Sequence, residues 1–509
     1  MSSVLEHPPR PATHPRGARR GGRLRAALAR VPREAWVCAL VACLNAVCWS
    51  FITPPFQVPD ETDHYAYVEQ LALTGEPPSS QAHGRYSADQ TLTMEALHTN
   101  RVRLQPEDPA VFSPAEASEL RRALAVSRTI APRPTGAAGV AAAEPPLYYA
   151  LELIPYELGS GGTVLDRLEL MRLLSALMAG LTALFVFLFV REALPGARWA
   201  WIVGGGAIAV TPLLGFMSGA VTPEALLYAV SAATFYLMAR AFRRGLTPRR
   251  AAAIGVVVAI GLLSKLNFVG LLPGIAIGAI VMVGRLPAPS RARLMRAGAV
   301  GLALAAALVA AAYASGAVSH SAFGTPEAAV LSLARHGSPL GRADYIWQFF
   351  LPRIPGTVDD FPGIFTTRQI WFDGFVGLYG WLDTTFPGWV YDVALLPAGI
   401  LAALCLRALA TGAGALRARI GELLAYLTMA AGLLILVGSA SYTGFPQIGG
   451  AYAQSRYLLP LLALMAAALA LAVRGAGRRW GPAVGVAVLM LFVAHDLFSQ
   501  LQVIARYYG

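Results

Sequence analysis

Apolar positions in this chain fall into long unbroken blocks, most of them about 17–24 residues, separated by short polar stretches rich in Arg. An α-helix rises about 1.5 Å per residue and needs about 20 residues to cross the roughly 30 Å hydrocarbon core of a bilayer, so each block predicts a membrane helix. The blocks lie at about 35–53, 168–190, 198–216, 222–240, 251–264, 267–284, 297–316, 388–406, 422–441, 457–473 and 482–498, eleven in all. At Lys265-Leu266 two of them nearly fuse. In hydrocarbon every backbone polar group needs an internal partner, which for segments of this length means helix. The expected fold class is an all-α polytopic membrane protein of about 11 transmembrane helices with two long extracytoplasmic segments, 54–167 and 317–387.

The polar stretches set the orientation. Residues 1–34 hold eight Arg against two Glu and have no apolar period, which reads as a disordered basic cytoplasmic tail. Starting inside, the connections 191–198, 241–250, 285–296, 407–421 and 474–481 all fall on the cytoplasmic side, and every one carries Arg. The opposite side receives 54–167, with fifteen acidic residues against eight Arg, then 317–387 and a short end at 499–509. The first block is long for a signal peptide and has no small-x-small cleavage site, so it reads as an uncleaved anchor. The transmembrane domain is thus expected at 35–498, with the N-terminus cytoplasmic.

Composition adds exclusions. With 56% hydrophobic and 14% charged residues, the chain is far below the roughly 25% charge of a soluble domain. The net charge of +12 comes from 40 Arg and one Lys, Lys265, placed by topology, so no nucleic-acid partner is implied. The Arg bias, with abundant Ala and Gly, suits a GC-rich bacterial genome. All four Cys lie in apolar blocks and imply no disulfide framework. There is no Walker motif and no strong internal repeat.

Candidate chemistry concentrates after the first helix, in Pro54-Pro55-Phe56-Gln57-Val58-Pro59-Asp60-Glu61-Thr62-Asp63-His64-Tyr65. The prolines break the backbone, and the residues from Asp60 to Gly75 read as a short helix. Its apolar stripe of Tyr65, Val68, Leu71 and Ala72 would let it lie flat at the outer interface. Asp60 and His64, four apart, share a face, so Asp60, Asp63 and His64 could converge on one proton or one metal ion. A carboxylate in a medium of reduced dielectric gains proton affinity unless a cation pairs with it. It can then act as a general base or hold a divalent cation beside a phosphate. Acids at a helix start also simply complement its dipole. Glu144-Pro145-Pro146-Leu147-Tyr148-Tyr149 precedes a second short helix, with Tyr at the membrane boundary. Arg172, Glu224, Lys265, Arg456 and Asp496 are ionisable residues at or near membrane depth, a costly placement that marks functional candidates. The first four fall near outer ends, where cations suit an anionic ligand. Asp383, in GFVGLYGWLDTTFP, could line a sugar or lipid site, or the segment could be an aromatic belt.

PPFQVPDETDH after the first helix, EPPLYY before the second, TPEAL at the fourth, GLYGWLDTTFP and SRYLLP together resemble a bacterial family of membrane proteins known as domain of unknown function 2142, over about 35–475. That family looks like a branch of the GT-C-type glycosyltransferases, multi-helix membrane enzymes that use polyprenyl-phosphate-linked sugars at the outer face. The resemblance implies transfer of a sugar from a polyprenyl-phosphate donor to a cell-envelope glycan or lipid acceptor. It places Asp60 and Glu61 as the acidic base or metal-binding group, assisted by His64. Basic residues of later outer elements then meet the lipid phosphate, and Arg456 and Lys265 are their counterparts; position alone adds Arg172 to that group and Tyr148 and Asp383 beside the substrate. A divalent metal, Mg or Mn, would rest on Asp60, Asp63, His64 and Glu224. The chain departs from the family pattern at Glu144, where relatives often have His, and at Thr222-Pro223-Glu224, often Asn-x-Asp. A transporter or flippase of lipid-linked sugars, or a non-catalytic envelope-assembly subunit, would use the same outer cluster without a base. Transport calls for polar residues near mid-bilayer.

Overall fold

The computed structural model describes residues 29–509 except 30, 79–85, 106, 108–112, 137, 297–338, 351–367 and 449–453. Eight of its helices are long and apolar enough to cross a membrane: Arg33–Ile52, Val164–Ala193, Glu224–Arg244, Leu266–Gly284, Gly388–Thr411, Ile420–Tyr442, Ser455–Gly475 and Gly477–Tyr508. A ninth span results if the pair Arg198–Ala209 and Pro212–Ser218, bent by 49°, crosses as one. The count of eleven is therefore not reached among the described residues. The 251–264 block forms a helix, Pro248–Ser264, of 17 residues, and the 297–316 block lies outside the described residues.

Val164–Ala193 and Glu224–Arg244 pack against each other at the centre of the bundle and are its most enclosed spans. The first starts at a capping box, in which Thr163 and Asp166 satisfy each other's backbone donors. Close packing relies on small residues, because lipid supplies no hydrophobic drive between helices. A Cβ on Gly204 would sit 2.8 Å from the Ala466 carbonyl oxygen, and one on Gly180 would sit 2.9 Å from that of Ala39. By contrast, the Gly388–Thr411 helix buries only Tyr391 and turns most of its apolar surface outward.

One end of the bundle is covered by the helices Glu61–Thr74, Ala88–Ala96, Thr99–Leu104, Pro114–Ser127 and Leu147–Leu158. The other end gathers Arg: Arg198 pairs with Glu34, Arg243 and Arg244 with Glu192, and Arg419 with the Ala193 carbonyl. These are called the capped end and the Arg-rich end below. The Glu61–Thr74 helix does not lie flat on lipid, because residues 61–69 are buried on every side except at Asp63. Tyr65 and Tyr67 are fully buried within the cap.

The last helix also departs from expectation. It does not stop near 498 but runs unbroken from Gly477 to Tyr508, 32 residues or about 48 Å, well beyond a bilayer core. Its end is part of the cap: Arg506 donates to the Val102 carbonyl at 2.8 Å and meets Asp383 at 3.3 Å, and Gln502 donates to the Thr385 carbonyl at 2.9 Å. Residues 378–379 and 384–385 form a two-stranded antiparallel hairpin against this helix.

Gly204→Leu is expected to force apart the Arg198–Ala209 and Leu462–Gly475 helices and to lower the yield of folded protein. Gly399→Leu, on the outward face with open space around it, is expected to leave yield unchanged. Size-exclusion profiles of detergent-extracted variants test both, and equal yields would contradict this packing.

Candidate functional site

Adjacent acids at the start of the Glu61–Thr74 helix go to different places. Glu61 is fully buried against Arg172, which is also fully buried. Arg172 Nε donates to Glu61 Oε1 at 2.8 Å and Nη2 to Oε2 at 2.7 Å. Nη1 donates to the Ser50 and Thr53 carbonyls at 2.8 and 3.0 Å, and Nη2 also to that of Pro54 at 3.2 Å. All five guanidinium N–H groups are thereby used. Glu61 additionally accepts from the backbone N–H groups of Phe56 (2.9 Å) and Val221 (3.1 Å). This geometry corrects two expectations. Arg172 has no donor left for a phosphate, and Glu61 has no free oxygen with which to act as a base.

The pair bends the chain. It ties the end of the Arg33–Ile52 helix to the start of the next and holds Phe56 and Asp60 at φ of 65° and 67°. Left-handed backbone at non-Gly residues is strained and persists only where its surroundings enforce it. Asp60 thus leaves the helix start with its carboxylate 28% exposed and 2.9 Å from Arg456 Nη2.

From Asp60 a string of alternating charges runs inward. Arg456 Nη1 lies 3.9 Å from Glu224 Oε1. Lys265 Nζ lies 3.4 Å from the same Glu224 oxygen and 2.5 Å from Glu144 Oε1. Arg456, Lys265 and Glu224 are each less than a tenth exposed. Every member sits where a helix begins or breaks. Lys265 is extended between Pro248–Ser264 and the 3-10 turn Leu266–Leu271, Arg456 lies in the 3-10 turn Ser455–Leu461, and Glu224 opens its helix after Pro223. Glu144 ends the turn Gly139–Ala143. The string is incompletely satisfied: Arg456 Nε and Nη1, Glu224 Oε2 and Glu144 Oε2 are buried without a hydrogen-bond partner among the described residues. Such orphans are unusual in a native structure and each calls for an explanation. Arg456 also lines a cavity of about 20 Å³, room for about one water molecule, walled by Pro59, Phe216, Met217, Gly380 and Leu382.

Electrostatics follows from this packing. Burial opposes ionisation of Asp60, but Arg456, with His64 and Lys265, outweighs it and holds the carboxyl below its usual range. Burial pushes His64 down to about 4, against the pull of Glu224, so the imidazole is neutral at ordinary pH. Its Nδ1 shares a 2.9 Å hydrogen bond with the Tyr149 hydroxyl, and Tyr149 stacks on Tyr67 at 3.6 Å between centroids.

Asp63 leaves the group. It accepts from the Tyr86 hydroxyl at 2.5 Å and the Val140 N–H at 3.1 Å, and burial raises its pKa despite both. Among the described residues no three of His, Cys, Asp and Glu are placed to share a metal ion. The expected set of Asp60, Asp63, His64 and Glu224 is therefore corrected: Asp63 is engaged elsewhere, and cations already stand against Asp60 and Glu224. Tyr148 is likewise displaced, bonding Ser175 at 2.8 Å in the interior, while its neighbour Tyr149 reaches His64. Asp383 pairs with Arg506 and anchors the hairpin instead of entering the string. The hairpin tip does approach, since Trp381 Nε1 donates to the Phe56 carbonyl at 3.4 Å and Arg103 lies 3.5 Å over its ring. Asp496, which had no expected role, accepts from Asn45, Trp49 and Gln500 at 3.1–3.2 Å and joins the first and last spans. Glu144 and Tyr149 are the site residues that sequence reasoning passed over. Their signal was the same EPPLYY stretch from which Tyr148 was drawn.

Fold and site together define a polytopic helical membrane protein with a buried ionic cluster at one end. The chain belongs to the family described as predicted membrane protein (DUF2142), whose profile matches residues 43–465. No curated protein matches it. Among solved structures, the apo form of the Archaeoglobus fulgidus oligosaccharyltransferase is similar with a TM-score of 0.43 and 13% identity, over 93% of this chain and 56% of that one. The chain thus spans little more than half the length of that protein.

Arg172→Lys is expected to destabilise nearly as much as Arg172→Gln, by about 3–5 kcal/mol, because an ammonium cannot reproduce the five-donor fork and leaves Glu61 buried and underpaired. Thermal unfolding in detergent measures this, and a wild-type midpoint for Arg172→Lys would refute it.

Proposed function

We propose that this protein is a membrane glycosyltransferase of the GT-C type, moving a sugar from a polyprenyl-phosphate donor to a hydroxyl of an envelope glycan or lipid acceptor at its capped, extracytoplasmic end. The observation that carries this reading is the unpaired edge of Arg456 beside the partly exposed Asp60. A base and a phosphate receptor are the two groups that transfer from a phosphate leaving group demands. The acceptor hydroxyl gives its proton to the Asp60 carboxylate, and its oxygen bonds to the anomeric carbon. The bond from that carbon to the phosphate oxygen breaks, its electron pair leaves with the phosphate, and Arg456 Nε and Nη1 receive the charge. As the guanidinium turns toward the phosphate, Asp60 loses part of its counter-charge and its proton affinity rises.

The other residues act through these two. Glu224, flanked by Lys265, keeps Arg456 ionised and in place. Glu144 balances Lys265. Neutral His64, held by Tyr149, supports Asp60 from the same helix, and Glu61 with Arg172 fixes the turn that presents it. A transporter would instead place essential polar groups near mid-bilayer, whereas these gather at one end of the spans.

The test is envelope glycan composition in a deletion strain complemented with variants. Wild type restores the missing linkage, while Asp60→Asn and Arg456→Gln reach the membrane at normal levels and lower transfer by about 10²–10⁴. Full restoration by both variants would refute the assignment and favour a transporter or scaffold.

The pH profile gives a separate check. Asp60 has a lowered pKa, so its carboxylate persists below the usual carboxylate range and is lost only as pH falls through that lowered value. His64 stays neutral until pH approaches about 4. Transfer rate is expected to be flat between about pH 5 and pH 8 and to fall below that. A decline centred near pH 6.5, the ordinary imidazole range, would contradict it.

A further inference from the structure

The Arg-rich end holds a second cavity, of about 380 Å³, lined by Leu188, Arg191, Glu192, Tyr236, Arg240 and Arg244. It lies at the opposite membrane boundary from Asp60. Along the Val164–Ala193 helix, Arg172 and Arg191 are 19 positions and so about 28 Å apart, close to the thickness of a bilayer core. Arg191 and Arg240 are not loop residues. Arg191 belongs to the last turn of the Val164–Ala193 span and Arg240 lies just before the last turn of the Glu224–Arg244 span, where a charge in the helix needs a reason.

The charges around the cavity do not cancel. Glu192 is taken by Arg244 at 2.6 Å and Arg243 at 3.2 Å. Arg191 lies 6.0 Å over the Trp201 ring, and Arg240 contacts Tyr236. Neither is paired with a carboxylate among the described residues. The cavity therefore joins two guanidinium groups that have no salt-bridge partner among the described residues, Arg191 feeling Glu34 only at longer range, to an apolar wall of Val31, Leu188 and Tyr236. A guanidinium fork suits phosphate oxygens, and the volume falls within the range of small-molecule sites.

We propose that this cavity binds the phosphate of an anionic phospholipid headgroup, Arg191 and Arg240 holding the phosphate and Leu188 and Tyr236 the adjoining glycerol and first acyl carbons. The lipid source is favoured over free phosphate because the cavity sits where two spans meet the interface and has an apolar wall.

The experiment is native mass spectrometry of the full-length protein from neutral detergent, with phosphatidylglycerol, phosphatidylcholine and inorganic phosphate as probes. Phosphatidylglycerol is expected to be retained in preference to phosphatidylcholine. Arg191→Gln with Arg240→Gln is expected to weaken that retention about 30-fold, from the contribution of two Arg at a membrane surface. Arg417→Gln with Arg474→Gln, which removes the same charge from other helix ends of the Arg-rich side outside the cavity, is expected to leave it unchanged. Equal retention of both lipids by wild type, an unaffected cavity variant, or equal loss in the helix-end variant would each overturn the site. Displacement of phosphatidylglycerol by millimolar inorganic phosphate would overturn the lipid source and leave a soluble-phosphate site. If the cavity variant does not fold, Arg191→Lys with Arg240→Lys, which keeps both charges, and the wild-type headgroup comparison decide the question.

Discussion

The ion pair between Glu61 and Arg172 is the contact on which the working end of this protein depends. Burying two charges away from water costs several kcal/mol each, and their attraction offsets this only where every remaining donor and acceptor is satisfied. Here that condition is met by the backbone. Arg172 takes carbonyls that the Arg33–Ile52 helix leaves open at its end, and Glu61 takes the N–H groups of Phe56 and Val221. One pair thus welds a helix end, a strained turn and the entry to a third element, with Asp60 as the next residue out. The strain at Phe56 and Asp60 is supported by a contact that takes no part in the proposed chemistry.

A second rule governs the ionic string. Lys265, Arg456 and Glu224 occupy irregular or newly started backbone where spans meet the cap. Helix ends leave backbone groups unpaired, so polar side chains are tolerated there at lower cost than in the middle of a span. The bundle can gather five ionisable groups within ion-pair distance of one another and still present regular apolar helices to lipid.

Much of this was legible in the sequence. Length and hydropathy of the apolar blocks located every described span but the last, which runs ten residues past its block to Tyr508, to within about five residues, because hydrocarbon permits so few alternatives. The gathering of Arg172, Glu224, Lys265 and Arg456 at one end of the bundle followed from counting alternations of side. The partners did not. Asp60 and Glu61 are adjacent, yet one is partly exposed and the other sealed. No local pattern separates them, because the difference arises from Arg172, 111 positions away. The i,i+4 relation of Asp60 and His64 suggested a convergent ligand set, but Asp60 is the cap residue of its helix, in left-handed backbone, and not a member of the helical face. The choice between Tyr148 and Tyr149 rests on the rotation of one short helix by about 100°, which apolar periodicity fixes poorly when both sides are buried.

The separation along the chain between Asp60 and Arg456, 396 positions, has a consequence for biogenesis. A membrane protein is threaded into the bilayer in order, and Asp60 emerges when almost none of the bundle exists. Glu144, Glu224 and Lys265 arrive next, and their charges must wait at the interface until the span bearing Arg456 is inserted. Only the final helix, through Arg506 and Gln502, then reaches back to fasten the cap at Val102 and Thr385. Long-range closure of this kind is slow and comes late. The ion pair of Asp60 and Arg456 is therefore formed late, and a partly inserted molecule holds the two apart.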